Sequence, residues 1–419
     1  MGMLAEILSI GDELLIGQVI NSNAAYIAGK LNSVGVFADT MTTVGDSEPA
    51  ILDSFERALT THEVVTVTGG LGPTHDDITR AAVCKFFKTD LVVNQEALDN
   101  IKQRFALRNI ALIKRNEEQA LVPRNCTVIQ NHHGTAPGYL FERSGKYMIV
   151  MPGVPGEMKG MMDEFVVPYF AKKGTGTSIV HRTLKTTGIA ESLLAEQIGD
   201  VSTLFDQDTG VTLAYLPSAT GVRLRITVRA SSRNDAELQA HKVELKIRSK
   251  AERYIYGTDD EELEHIVGKI LTDRKLTISI AESCTGGLIA DRLTNVPGSS
   301  NYFERGIVTY SNESKIAELG VPRSHIELHG AVSREVAEAM ASGIRSKSNT
   351  DIGLSTTGIA GPAGGTAEKP VGLVWIGFSN RQQTIALRLN LPGDRRTFKE
   401  RASQAALDLV RRKLLKIES

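Results

Sequence analysis

Val64-Val65-Thr66-Val67-Thr68-Gly69-Gly70-Leu71-Gly72-Pro73-Thr74-His75-Asp76-Asp77-Ile78-Thr79 reads as a strand that ends in glycines and hands the chain to a helix. The β-branched run 64–68 suits a parallel strand covered on both faces. Glycines straight after a strand let backbone N–H groups approach an oxyanion, and the helix start beyond adds partial positive charge. Thr74 is placed to cap that helix, with Asp76 and Asp77 in its first turn. Acids are favourable there in any case. The alternative is that the carboxylates hold a divalent cation bridging the phosphates of a ligand. Adjacent side chains on a regular helix diverge, so only one of the two faces such a ligand.

The same alternation extends on both sides. Residues 4–10 form an apolar strand followed by Gly11-Asp12-Glu13, and Ile20, Ala24, Ile27, Ala28 and Leu31 recur at helical spacing. A further strand is expected from Gly35, helices at 49–59 and 94–108, and a strand at 147–151 closed by Pro152-Gly153-Val154-Pro155-Gly156. Short strands alternating with helices define a doubly wound α/β domain. Residues 175–257 change character. Val222, Leu224, Ile226 and Val228 alternate with Arg223, Arg225, Thr227 and Arg229, so one sheet face is wet, and helices are expected at 191–198 and 236–251. This is a small two-layer α+β module. From 258 onward the strand–helix alternation resumes, with strands at 276–281, 306–310 and 352–357, a hairpin around Ser379-Asn380 and a closing helix at 396–414. The chain therefore divides into 1–172, 173–257 and 258–419.

Composition bounds the function. The 419 residues suit two or three domains, and 41% hydrophobic with 23% charged residues is ordinary globular usage. With 48 basic against 49 acidic residues, the net charge of −1 gives no global attraction to nucleic acid or an anionic membrane. No aromatics interleave with the arginines of 223–229, so that strand reads as a solvated face and no nucleic-acid partner is expected. Three cysteines without metal-ligand spacing exclude a disulfide scaffold. No apolar run reaches the 18 residues of a membrane helix and no basic region precedes an apolar one, so a cytoplasmic location is expected.

In the first block Asp12 and Glu13 lie at the same sheet edge as the glycine run. Asn116 and Gln119 put two amides on one helical face, and Glu157 opens the helix after Gly153. His132 and His133 diverge as neighbours, which argues against a shared metal. In the third block Ser283 stands at a strand-to-helix turn before Thr285-Gly286-Gly287, where backbone N–H groups can stabilise an oxyanion. No histidine accompanies it in the nucleophile-elbow pattern. Lys315, deprotonated by burial, could take its proton with Tyr310 as relay; otherwise Ser283 is a helix cap, Lys315 a solvated charge and Tyr310 edge packing. Cys284 is the rival nucleophile and, as a neighbour of Ser283, points the other way. The loop 358–365, with Thr356, Thr357 and Thr366 around it and Arg395 further on, is a candidate phosphate site.

These segments carry a resemblance. Residues 11–17, 69–79, 116–120, 134–138 and 152–157 are similar to the molybdopterin-binding-like domain of the competence/damage-inducible CinA proteins. Residues 281–288, 293–303, 308–315 and 357–372 resemble the CinA C-terminal domain, the nicotinamide mononucleotide (NMN) deamidase. The resemblance implies two hydrolytic activities: NMN to nicotinic acid mononucleotide and ammonia, and ADP-ribose to AMP and ribose 5-phosphate. It assigns Ser283 as nucleophile assisted by Tyr310 and Lys315, with Thr285, Gly286, Gly287, Thr357, Gly358, Gly361, Gly364 and Arg395 around the substrate. It assigns Asp12, Gly69, Gly70, Gly72, Thr74, Asn116, Gly153 and Glu157 to nucleotide, and Asp76 or Asp77 to a divalent Mg²⁺, Mn²⁺ or Co²⁺, with K⁺ a further candidate. The deamidase requires no cofactor, and the family forms homodimers. His75 has no assigned role, and Lys399 stands where many relatives place an arginine, which softens a bidentate contact. Two other readings stay open: a deamidase whose front domain binds a nucleotide or pterin without catalysis, and a non-catalytic accessory in DNA uptake or damage response.

Overall fold

The computed structural model describes residues 3–72, 77–107, 109–174, 178–206 and 210–417, which divide into two units: Met1–Val180 with Val228–Gln239, and His181–Thr227 with Ala240–Ser419. Seventeen strands run through them. In the first unit β1 (Met3–Ile10), β2 (Val36–Val44), β3 (Val64–Thr68), β6 (Thr127–Ile129), β7 (Gly138–Arg143) and β8 (Lys146–Met151) form one sheet, in the order β2-β1-β3-β8-β7-β6. The first four are parallel, and β7 and β6 close the edge antiparallel. The short β4 (Leu91–Val93) and β5 (Leu121–Pro123) make a separate antiparallel pair.

Both faces of this sheet are covered, as the apolar run of β3 requires. Ala5 and Ile7 pack with Ile27 and Leu31 of the helix Ser22–Ser33 and with Met158 and Met161 of Pro155–Met161. Leu8 and Ile10 face the opposite way, against Ile51 and Phe55 of Glu48–Thr61 and Ala82 and Val83 of Thr79–Phe87. The chain leaves β1 for β2 on one side and returns for β3 on the other. The crevice between the C-terminal ends of β1 and β3 is thus a topological switch point, where ligands of open α/β sheets bind.

A four-stranded sheet follows, in the order β10-β11-β9-β12, from β9 (Ser178–Thr186), β10 (Val211–Ser218), β11 (Gly221–Ala230) and β12 (Ile255–Thr258), with helices Glu191–Ile198 and Arg233–Ala251. In β11 Val222, Leu224, Ile226 and Val228 are buried while Arg223, Arg225 and Arg229 are exposed, the alternation expected of a half-wet strand.

The last sheet has the order β14-β13-β15-β16-β17: β13 (Ile278–Glu282), β14 (Phe303–Val308), β15 (Ile352–Gly358), β16 (Leu373–Ser379) and β17 (Thr384–Asn390). β14, β13 and β15 are parallel, and β16 and β17 form the antiparallel hairpin expected around Ser379-Asn380. Ile278 and Ile280 face Leu263, Ile289 and Phe398 on one side, and Ala281 faces Val336 and Met340 on the other. Here too the central strand, β13, is flanked by its successor β14 on one side and by β15 on the other, a second switch point. No helix among the described residues is long and apolar enough to cross a membrane.

Two candidate sites at two switch points

In the first unit the crevice opens into a cavity of about 400 Å³. Its wall comprises Ile10 and Gly11 from the end of β1, residues 68–72 after β3, residues 152–155 after β8, and Glu13, Asn23, Asp46, Asp77, Gln119 and Glu157. The glycine run forms this floor for a steric reason. Gly69 has φ +112°, and a Cβ there would lie 2.1 Å from the Ile10 carbonyl oxygen, so no side chain fits between the ends of β1 and β3. Gly153 approaches from the third strand end, where a Cβ would lie 3.3 Å from Gly69 Cα.

The carboxylates are individually held. The Gly72 N–H donates to Asp77 Oδ1 at 2.8 Å. Asp12 and Asp46 clasp each other, each carboxylate accepting the other's backbone N–H, at 3.0 and 3.2 Å; Asp46 and Glu13 line the cavity, and Asp12 holds Asp46 from outside its lining. Asn131 Nδ2 donates to Glu157 Oε2 at 2.6 Å, and Gly134 leaves the room, since a Cβ there would lie 2.0 Å from Glu157 Cδ. Burial pushes the Glu157 carboxyl above its ordinary pKa, against that amide. His133 pairs with Glu164 at 2.9 Å.

Of the residues assigned to this site, Gly69, Gly70, Gly72, Gly153, Asp77 and Glu157 meet at the cavity. Thr74 and Asp76 lie outside the described residues. Asp77 stands two residues before the helix Thr79–Phe87 rather than in its first turn, and its carboxylate ties back to the glycine run instead of capping. Asn116 accepts the Ile113 N–H at 3.4 Å in a local turn, and its partner in the amide pair, Gln119, lines the cavity instead. Glu13 and Asp46 also emerge. Glu13 adjoins an assigned residue, whereas nothing in the sequence singles out Asp46.

In the second unit Ser283 follows β13 directly, and its N–H donates to the Thr356 carbonyl of β15 at 3.0 Å. Lys315, on the helix Asn312–Leu319 after β14, reaches back beneath it, with Nζ 3.2 Å from Ser283 Oγ. That lysine is 1% exposed and forms no ion pair among the described residues; its nitrogen donates to the Thr309 carbonyl at 2.8 Å and reaches those of Tyr310 and Ser311 at 3.4 and 3.5 Å. Burial without a counter-charge lowers its pKa below the usual lysine value. A neutral amine has two N–H groups and one lone pair. Carbonyls can take the N–H groups and leave the lone pair for the Ser283 hydroxyl proton, an arrangement competent for general-base activation of an alcohol.

The turn itself is fixed by a residue the sequence reading did not single out. The Glu282 carboxylate, 1% exposed, accepts the N–H groups of Gly287, Ile289 and Ala290 at 3.0, 3.2 and 2.9 Å. The start of the helix Leu288–Thr294 is therefore occupied by an internal anion. Only the position of Glu282 at a strand end before a glycine turn hinted at this. Thr285 and Thr356 bond each other at 2.8 Å inside the core, and Thr357 donates to the Ala331 carbonyl at 2.8 Å. Tyr310 is 63% exposed; Arg395 Nη2 donates to its hydroxyl at 2.6 Å, and Arg395 Nη1 to the Gly361 carbonyl at 3.1 Å, which draws the tyrosine and the glycine loop together. Gly358 lies against β16 and Gly364 has φ +92° within the loop. Cys284 is buried in the core beneath the helices, where burial pushes its thiol up to about 12 and leaves it protonated.

Fold and sites together define a chain with a carboxylate-lined cavity at the switch point of its first α/β sheet and a serine–lysine contact at that of its last. Residues 6–172 match the family described as "Probable molybdopterin binding domain", 181–257 the "Damage-inducible protein CinA KH domain", and 260–414 the "CinA C-terminal domain". A CinA-like protein of Kosmotoga olearia is 45% identical over 413 residues, covering 99% of each chain. A second, from Chloroherpeton thalassium, is 45% identical over 417 residues, covering 98% of this chain and 99% of its own. The crystal structure of competence/damage inducible protein CihA from Agrobacterium tumefaciens is 39% identical, with a TM-score of 0.36, covering 36% of this chain and 93% of that one. The chain belongs to the CinA family.

Proposed function

We propose that the C-terminal domain is a serine amidohydrolase acting on the carboxamide of NMN, and that the N-terminal domain hydrolyses ADP-ribose to AMP and ribose 5-phosphate. The contact of Lys315 Nζ with Ser283 Oγ at 3.2 Å, made by a buried lysine, carries the first reading. Ser283 Oγ adds to the amide carbon while Lys315 takes its proton. Lys315 then returns that proton to the departing nitrogen, ammonia leaves, and water cleaves the acyl ester to release nicotinic acid mononucleotide and free Ser283. Arg395 orients Tyr310 and adds positive charge beside the loop that would receive the substrate. NMN as the amide rests on the family resemblance.

The N-terminal reading is supported by the charge of the cavity. Its described wall carries Glu13, Asp46, Asp77 and Glu157 and no lysine, arginine or histidine. Such a wall repels a pyrophosphate unless a cation intervenes, and hard carboxylate oxygens fit Mg²⁺ or Mn²⁺. Among the described residues no three His, Cys, Asp or Glu side chains already converge, which fits a cation shared between one or two carboxylates and the substrate phosphates. Asp77 is the described candidate to hold it. When bound, the cation would neutralise charge developing on the phosphate oxygens. A cytoplasmic homodimer is part of the proposal.

A split assay on the full chain tests both halves. The expected result is ammonia from NMN that survives EDTA and disappears in Ser283→Ala, together with AMP from ADP-ribose that EDTA abolishes and Ser283→Ala retains. Ammonia release retained by Ser283→Ala would overturn the amidase mechanism. Absence of AMP would leave the front domain as a binding domain.

A further inference from the structure

Gln119 is an unassigned part of the first cavity. It sits on the single 3-10 turn Glu118–Ala120, which is pinned from both sides: Arg80 Nη1 donates to the Glu118 carbonyl at 2.8 Å, and the Asn94 N–H donates to that of Ala120 at 2.9 Å. The residue is 4% exposed and lines the cavity. Its Oε1 is buried with no hydrogen-bond partner among the described residues. A buried amide carbonyl left unsatisfied is destabilising by about 1–3 kcal/mol, so a native fold that keeps one on a rigid turn beside a cavity calls for an explanation. Asn23 repeats the pattern on the same wall. Its Nδ2 donates to the Gly153 carbonyl at 2.7 Å, and its buried Oδ1 has no partner among the described residues.

Gln119, Asn23 and four carboxylate side chains make the described wall rich in acceptors, and among the described residues it carries no cationic side chain. A cation can satisfy carboxylates and phosphates. The amides are better matched by a neutral donor, an N–H or O–H on the nucleoside half of a ligand. We infer that Gln119 is a specificity-determining residue of the N-terminal site, whose amide oxygen accepts a hydrogen bond from the base amine or a sugar hydroxyl of the bound nucleotide. The inference rests on the nucleotide-binding reading of this cavity.

The test is calorimetric titration of the full chain with AMP, IMP and ribose 5-phosphate in the presence of Mg²⁺, for wild type, Gln119→Met and Gln119→Glu. Methionine keeps length and bulk without the acceptor; glutamate keeps the acceptor. In Gln119→Met the melting temperature should be unchanged or higher, because no partner is lost, and affinity for AMP should fall about tenfold, with Gln119→Glu affected less. A fall for AMP but not IMP assigns the base amine, and an equal fall for all three ligands assigns the sugar. If Gln119→Met binds all three as wild type does, or melts lower with affinity intact, Gln119 is structural and the inference is wrong. If wild type binds none of the three, the nucleotide reading of the cavity fails first. Should Gln119→Met not fold, Gln119→Glu binding AMP no better than IMP, where wild type discriminates, overturns the assignment to the base.

Discussion

Replacing Lys315 by methionine and by arginine separates a base from a mere positive charge. The nitrogen stands 3.2 Å from Ser283 Oγ, at the outer limit of direct proton transfer, and a methionine of similar length removes it without opening a large void. General-base assistance contributes about 10²–10⁴ in rate, equal to roughly 2.7–5.4 kcal/mol at 1.36 kcal/mol per decade. Both variants should lose amide hydrolysis by that factor, because arginine keeps the charge but cannot release a proton near neutrality. Burial lowers the Lys315 pKa, so the neutral, active amine accumulates at lower pH than for an exposed lysine. Wild-type kcat/KM for ammonia release should rise tenfold per pH unit below that pKa and level off above it, with the break below the ordinary lysine value of 10.5. The sign follows from chemistry, since the base must be unprotonated. The assay is ammonia release from NMN across pH 6 to 10, with melting curves to confirm folding. Lys315→Arg within threefold of wild type, or activity that falls as pH rises through this range, would refute a neutral-lysine base.

Other residues give sharper contrasts. Glu282→Gln leaves one acceptor for three N–H groups and places an amide N–H₂ against the others, so the chain should lose about 2–4 kcal/mol in denaturant titration and the amidase should drop with it. Unchanged stability would mean that the turn holds itself. Cys284→Ser should keep ammonia release within about threefold, because the thiol is buried and its pKa is pushed up to about 12; loss of activity with an intact fold would move the nucleophile to Cys284. For Glu157, burial raises the folded pKa above the unfolded one, so the folded state binds more protons and the carboxyl weakens stability as pH rises through that window. Glu157→Gln should therefore gain melting temperature relative to wild type as pH goes from 4 to 7, and a difference independent of pH would contradict the burial argument.

The fold was legible because its decisive elements are local. A β-branched run closed by glycine gives β3, and the alternation of Val222, Leu224, Ile226 and Val228 against arginine gives β11. The sites were legible only in part. Gly69 announces itself because backbone crowding with Ile10 forbids any other residue, whereas the joining of Ser283 to Lys315 depends on a strand order that spacing does not encode. Asn116 and Gln119 carried the same signal, two amides at i and i+3, and nothing local says which turns inward. The chain settles it by tightening into a 3-10 turn held by Arg80 and Asn94, contacts 38 and 26 residues distant by subtraction of the residue numbers. Glu282 gave no more than the hint of its place before a glycine turn, because its partners are backbone N–H groups, which every sequence supplies.

The two sites use one topological device in opposite ways. Each lies where a central parallel strand is flanked by its two successors, and each strand end is followed by glycines. In the first unit the strand ends are kept bare by Gly69 and Gly153, and the described wall around the space is rich in carboxylates. In the second, Glu282 occupies the helix start, so the partial charge that usually attracts a phosphate there is already neutralised. Positive charge near Ser283 must then come from side chains. Arg395, bonded to Tyr310 and Gly361, supplies it, as does Lys399, whose Nζ would lie 3.3 Å from a Cβ placed on Gly286. With positive charge at the rim carried by side chains rather than by the helix start, the turn is left to keep Ser283 against Lys315. That division suits the amide chemistry proposed for this domain, in which the phosphate would be bound apart from the reacting carbon.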